Sequence, residues 1–233
     1  MRFVKQKTKL FVTNLDNIVN RVAVNMKSKR HGVLLPDSIR CIICGPSNCG
    51  KTNLILNLLF SPQGLCFENV YIFSKSLYQK KYKFLKCVLE DLPDVGYFPF
   101  SENDDVPHPN DVKPNSVMIF DDVACDKQTN IKIFFSMGRH NKVDTFYLCQ
   151  TYSFVPKQLV RDNANVIVVF KQDDKNIKHI YHDHVNMDMT FDQFKKMCAK
   201  VWNSGKNKFL VIDKETDIDK GRYRSGFDVF IHL

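Results

Sequence analysis

Residues 39–52 read Ile39-Arg40-Cys41-Ile42-Ile43-Cys44-Gly45-Pro46-Ser47-Asn48-Cys49-Gly50-Lys51-Thr52. A short, mostly apolar run ends at Cys44, as a buried strand does, and Leu54, Ile55, Leu58 and Leu59 then recur at helical spacing to Phe60. Between strand and helix, Gly45 to Thr52 satisfies G-x-x-x-x-G-K-[ST], in the context that the motif's mechanism requires. Gly45 and Gly50 permit a tight path that turns successive backbone N–H groups toward a phosphate, and the helix opening at Lys51 adds its positive end. From this composition, chance would produce such a match about three times in a thousand chains. Gly45, Pro46, Ser47, Asn48, Cys49, Gly50, Lys51, Thr52 and Asn53 are therefore the expected nucleotide cradle, with Lys51 bridging the β and γ phosphates and the Thr52 hydroxyl ligating Mg²⁺.

Such a loop works with an apolar strand that ends in acid, and Val117-Met118-Ile119-Phe120-Asp121-Asp122 supplies one about 70 residues further on. Asp121 is placed to hold Mg²⁺ through water, and Asp122 is the candidate general base for an attacking water. ATP and Mg²⁺ are the cofactors this pair of motifs implies. Asn141-Lys142-Val143-Asp144 reads N-K-x-D, a guanine-recognition pattern. A GTPase would also need D-x-x-G after the acidic strand, and here Asp121 is followed by Asp122, Val123 and Ala124, so N-K-V-D reads as a coincidental loop.

Outward from these motifs, strands are expected at 39–44, 70–73, 117–120, 146–149, 166–170 and 209–212. Helical patterns fall at 51–60, 78–89, 130–137, 156–161 and 190–201, while 91–115, rich in Pro, Asp and Asn, reads as a surface loop. This alternation predicts an α/β fold, a parallel-sheet core with helices on both faces. At 44% hydrophobic and 25% charged, the 233 residues are those of a globular protein, and no apolar run reaches the roughly 18 residues of a membrane-spanning helix. No secretion signal opens the chain, so no membrane association and a location inside a cell are expected.

The net charge of +9 is uneven. Residues 1–35 carry Arg2, Lys5, Lys7, Lys9, Arg21, Lys27, Lys29 and Arg30 against Asp16 alone, a basic arm preceding a nearly neutral domain at 36–233 with its C-terminal tail. Eight cysteines without a secretion signal point to a reducing compartment, and Cys41 and Cys44, three apart on a strand, face opposite ways. His179, His182, Asp183 and His184 read as a polar strand-to-loop region rather than a metal site. Lys80, Lys81, Lys83 and Lys86 read as a solvated helix face that could meet nucleic acid, and the 19 Phe as packing.

Beyond Asp122 come Gly138-Arg139-His140, then Thr145 to Gln150-Thr151-Tyr152, Pro156-Lys157, and Arg161-Asp162-Asn163-Ala164-Asn165 leading into Val166–Lys171. With the phosphate loop and the paired acids, these resemble the viral genome-packaging ATPases of the FtsK/HerA superfamily, and within it the poxvirus A32-like ATPases of large DNA viruses, virophages and Maverick/Polinton elements. The resemblance runs from about Ile39 to the end of the chain. It implies a P-loop NTPase fold of the RecA/FtsK-HerA kind, in a Mg²⁺-dependent, ATP-hydrolysing motor that moves double-stranded DNA into a capsid. Gln150 then corresponds to a sensor of the γ-phosphate or the lytic water. Arg139 corresponds to an arginine finger acting in trans, with Arg161 a second candidate. A homo-oligomeric ring, capsid or portal proteins, sequence-independent duplex DNA and virion-assembly sites inside the host cell are implied with it. Two other readings stay open: a translocase or helicase of the same superfamily without a capsid partner, and a nucleotide- and DNA-binding module that does not hydrolyse.

Overall fold

The computed structural model describes residues 30–123 and 127–233. Most of the basic arm, residues 1–29, lies outside the described residues. In chain order the elements are β1 (Arg40–Cys44), α1 (Lys51–Phe60), β2 (Asn69–Ser74), α2 (Lys80–Glu90), β3 (Gly96–Phe100), β4 (Ser116–Asp121), α3 (Thr129–Met137) and β5 (Val143–Cys149). They continue with β6 (Val166–Phe170), α4 (Asp174–His184), α5 (Phe191–Trp202), β7 (Phe209–Asp213), β8 (Tyr223–Ser225) and β9 (Val229–Phe230).

The strands form one sheet in the order β3-β2-β4-β5-β1-β6-β7-β8-β9. From β3 to β6 every pairing is parallel, whereas β7, β8 and β9 add antiparallel strands to one end. β3 to β6 form the expected parallel-sheet core, and β8 and β9, in the C-terminal tail, extend the sheet beyond β7. β5 lies between β1 and β4, in a register that places Cys149 beside Cys44 and Leu148 beside Asp121. The phosphate loop, Gln150 and the acid pair consequently leave three neighbouring strands at the same carboxyl edge, where open α/β sheets bind ligands.

Both faces of the sheet are buried, because side chains alternate along each strand. Ile42 and Cys44 join one apolar cluster with Phe120, Phe134, Tyr147 and Phe194, while Cys41 and Ile43 join the other with Leu54, Leu58, Tyr82 and Leu85. Cys41 and Cys44 thus face opposite ways, and burial pushes the Cys41 thiol up. Phe73, Phe120 and Phe134 meet edge to face, with centroids 6.3 and 5.5 Å apart, each burying a ring worth about 1.5–3 kcal/mol.

Four sequence expectations differ from the structure. β3 runs inside the expected loop 91–115, on the sheet's edge, where Pro99 is tolerated because one side of an edge strand carries no ladder. α4 replaces the expected strand-to-loop region around His179–His184; the Asp173 side chain caps it by accepting from the Asn176 N–H at 2.8 Å. Lys157–Arg161 is not a regular helix, because Gln158 is extended and Leu159 has a φ of +68°. Finally, the domain already includes Arg30–Leu35. Gly32 donates to Gly64 O at 3.0 Å, Leu35 is buried, and Arg224 donates to Leu34 O. Among the described residues no helix is long and apolar enough to cross a membrane.

Candidate active site

β1 delivers the phosphate loop and α1 receives it, with its first turn at Lys51. Gly50, with φ +113°, occupies a conformation that L side chains rarely adopt. Gly45 is required for a different reason, since a Cβ there would come within 2.5 Å of Cys49 Sγ and 2.6 Å of Phe170 Cβ. The Lys51 ammonium folds back on the loop, donating to Gly45 O at 2.6 Å and Pro46 O at 3.0 Å. Cys49 is half-buried, and burial raises its thiol against the pull of Lys51.

Asp121 closes β4 and is 9% exposed, so burial lifts its carboxyl above the usual range. The Tyr82 hydroxyl, donating to Asp121 Oδ2, and the Lys51 charge oppose that rise, while Asp122 adds to it. Asp122 follows in the left-handed region at φ +59°, exposed to the cleft, and accepts from the Ser76 hydroxyl at 2.9 Å. Asp tolerates that conformation better than most residues, at a strain of order 1–2 kcal/mol per residue. Gln150 stands exposed at the end of β5, and its backbone carbonyl accepts from the Gln172 side chain at 3.5 Å.

These groups line one cleft of about 790 Å³, between the loop residues Ser47–Thr52 on one side and Asp121, Asp122 and Gln150 on the other. Gln79, Lys80 and Lys81 at the start of α2, and Phe154, which is 73% exposed, complete its wall. Thr52 and Asp121, which line the same cleft, supply two hard oxygen donors beside the phosphate loop. That fits Mg²⁺, which takes few protein ligands and completes its octahedron with phosphate and water. Bound there, Mg²⁺ would neutralise charge on the phosphates.

The remaining expected residues are placed elsewhere. Arg139 lies on the one-turn helix Gly138–Asn141 that precedes β5, exposed, with its charge felt by Arg40 at the start of β1. It is therefore at the opposite edge of the sheet from Gln150, about 20 Å away along a seven-residue strand, and cannot reach its own chain's cleft. Asp144 shares that far edge: fully buried, it accepts from Ile39 N–H at 2.8 Å and pairs with Arg30 and His31 at 3.1 and 3.0 Å. Asn141-Lys142-Val143-Asp144 thus enters a strand on the side away from the phosphate loop, as a structural anchor.

Arg161 is corrected as a finger candidate. It is 8% exposed and its guanidinium is committed within the chain, donating to Val155 O at 2.7 Å, Ser153 O at 3.1 Å and Asp183 Oδ2 at 2.9 Å while lying over the Tyr152 ring. Asp183 also accepts from Tyr152, whose hydroxyl sits 2.6 Å from His184 Nε2. This cluster ties the segment after Gln150 to α4. Burial, with Lys214, Arg161 and Arg222 nearby, lowers His184 to about 3 from an ordinary 6.5, while Asp183 pulls the other way. Between those values the unfolded chain binds the extra proton and the folded chain does not, so this contribution to stability is lost as pH falls from 6.5 to about 3. Denaturant titrations between pH 7 and about 5, above the ordinary carboxylate range, are expected to show stability falling on acidification, and His184→Gln to flatten that slope. An unchanged slope in the variant assigns the proton uptake to another group.

Ser76, Tyr82, Gln79 and Phe154 are site residues that the sequence motifs did not indicate. Among them only Ser76 carried a readable signal, a polar Ser74-Lys75-Ser76 stretch ending an apolar strand.

The fold is shared with solved structures. The genome packaging NTPase B204 of Sulfolobus turreted icosahedral virus 2, in complex with AMP, superposes with a TM-score of 0.52 at 15% identity, over 76% of this chain and 94% of that one. B204, the DNA-packaging ATPase of Sulfolobus turreted icosahedral virus, does so with a TM-score of 0.51 at 15% identity, over 77% and 94%. At such identities the likeness establishes the fold. No curated protein sequence matches the chain. A family model does: that of the poxvirus A32 protein matches residues 105–228, from ahead of the acid pair through Gln150 and Arg161 to the last strands. More than half of the sequence, including the segment that sets the far wall of the cleft, follows that model, and the chain belongs to the poxvirus A32 protein family.

Proposed function

We propose that this protein is the ATPase of a viral DNA-packaging motor, hydrolysing Mg²⁺-ATP to drive double-stranded DNA into a capsid. The observation that carries the reading is the convergence of Lys51 and Thr52, the Asp121–Asp122 pair and Gln150 on one cleft at the carboxyl edge of three adjacent strands. Family membership and the packaging ATPases of the same fold support it. In this reading Lys51 leaves its loop carbonyls for the phosphates, Thr52 and Asp121 face Mg²⁺, and Asp122 takes the proton of the attacking water. Gln150, between the loop and the acids, orients that water or reads the γ-phosphate. A capsid or portal partner and a place at virion-assembly sites in the host cell belong to the same proposal.

Arg139 enters only through a neighbour. A surface at one edge of the sheet that completes a cleft at the other edge makes a head-to-tail contact, and such contacts form rings where the rotation between neighbours closes. The always-charged guanidinium would then stabilise the transferring phosphoryl group in trans. The expected result is ATP hydrolysis that duplex DNA stimulates, with a steep dependence on salt. Arg139→Ala and Asp122→Ala subunits, each inactive alone, are expected to recover activity when mixed. Absence of hydrolysis with and without duplex DNA would favour the non-hydrolysing nucleotide- and DNA-binding module, and mixtures that stay inactive would remove Arg139 from the site.

A further inference from the structure

We infer that Ser76 and Tyr82 are positioning residues for the site, Ser76 holding Asp122 and Tyr82 aiming Asp121. Both come from one short stretch, the end of β2 and the first turn of α2, and the inference rests on the ATP-hydrolysing reading above.

Ser76 is built to point in one direction. It is 5% exposed, its N–H donates to Ser74 Oγ at 3.0 Å, and its carbonyl accepts from Gln79 N–H at 3.0 Å. Ser74 is itself paired in register with Asp121, so the turn is fixed to the acid-bearing strand. The Ser76 hydroxyl then reaches Asp122 Oδ2 at 2.9 Å, the one hydrogen bond to that side chain found among the described residues. An exposed carboxylate on a left-handed residue has several rotamers open to it, and a single donor on one oxygen leaves the other oxygen directed into the cleft. A base must be aimed before its basicity matters.

Tyr82 lies on the inner side of α2 and is 1% exposed. Its hydroxyl donates to Asp121 Oδ2, so the one proton it carries is committed to the acid. Its ring packs in the apolar cluster with Leu54 and Leu85, so phenylalanine fills the same space without the donor.

The test uses Ser76→Ala, Ser76→Thr and Tyr82→Phe in the full chain, with kcat and KM for ATP, and with melting temperature in a non-hydrolysable ATP analogue titrated with Mg²⁺. Ser76→Ala is expected to lower kcat about tenfold or more with KM within about twofold, and Ser76→Thr to restore most of the rate. Tyr82→Phe is expected to raise the Mg²⁺ concentration for half-maximal stabilisation about tenfold, the size of effect seen when a partner of a metal ligand is lost, without changing analogue binding in EDTA. Wild-type kcat in Ser76→Ala, or Ser76→Thr as slow as Ser76→Ala, overturns the Ser76 assignment. An unchanged Mg²⁺ titration in Tyr82→Phe overturns the other. If the wild-type protein itself hydrolyses no ATP, the functional reading fails and takes the Ser76 assignment with it, while the Mg²⁺ titration still decides for or against Tyr82.

Discussion

Lys51→Ala is expected to reduce ATP hydrolysis at least about a hundredfold, the scale on which losing one preorganised charge at a reacting phosphate is felt. The lysine is half-buried, and its ammonium already lies on the loop, held by Gly45 O and Pro46 O. Two carbonyls satisfy it only as dipoles, so the β and γ phosphates, with full negative charges, would draw it away at little conformational cost. Alanine keeps the helix that starts at this residue and buries nothing new, so circular dichroism and melting temperature without ligand should match the wild type. Nucleotide-induced stabilisation should fall together with the rate, because one charge serves both. Wild-type hydrolysis in this variant would falsify the assignment of the loop as the catalytic cradle.

Asp122→Asn is expected to lower kcat by about 10²–10⁴ while leaving nucleotide and Mg²⁺ binding intact. Asparagine has nearly the same shape, tolerates the left-handed conformation at this position, and can still accept from Ser76 through its carbonyl oxygen. The substitution therefore removes the negative charge and the basicity, and little else. Its signature differs from that of Lys51→Ala, with hydrolysis lost but an ATP analogue still raising the melting temperature. A raised KM with unchanged kcat would instead make Asp122 a binding group.

Much of this was legible before any coordinates, for a physical reason. The phosphate loop is local: the strand before it, Gly50 at its positive φ and the helix from Lys51 to Phe60 all lie within about twenty consecutive residues. β4 and β6 are continuous apolar runs bounded by polar residues, which is how a strand buried on both faces reads. The strand β3, by contrast, contains a proline and sits half-buried on an edge, so its pattern carries no burial signal. α4 was missed because His179, His182 and Asp183 obscure a stripe made only of Ile177, Ile180 and the polar but buried Asn176 and His184. Arg161 illustrates a different limit. A guanidinium that serves three carbonyl and carboxylate partners is indistinguishable in sequence from one facing a neighbour, since the difference lies in contacts 6 to 22 residues away. Tyr82 carried no signal, and the polar Ser74–Ser76 stretch gave no partner, because β2 meets β4 only after both have been placed in the sheet.

The anchor formed by Asp144 with Arg30 and His31 gives the subunit a direction. His31 Nδ1 accepts from Cys66 N–H at 3.0 Å, which leaves its proton on Nε2, toward the buried carboxylate. The chain is thereby riveted into the domain at the amino-terminal edge of β5, while the phosphate loop and the acid pair lie at its carboxyl edge. Residues 1–29, with seven basic side chains and a single acid, are joined to the domain at the far pole from the nucleotide. With the entry of the chain at one pole and the phosphate loop at the other, each subunit is a vector, and any ring in which the subunits point the same way would have two unlike rims.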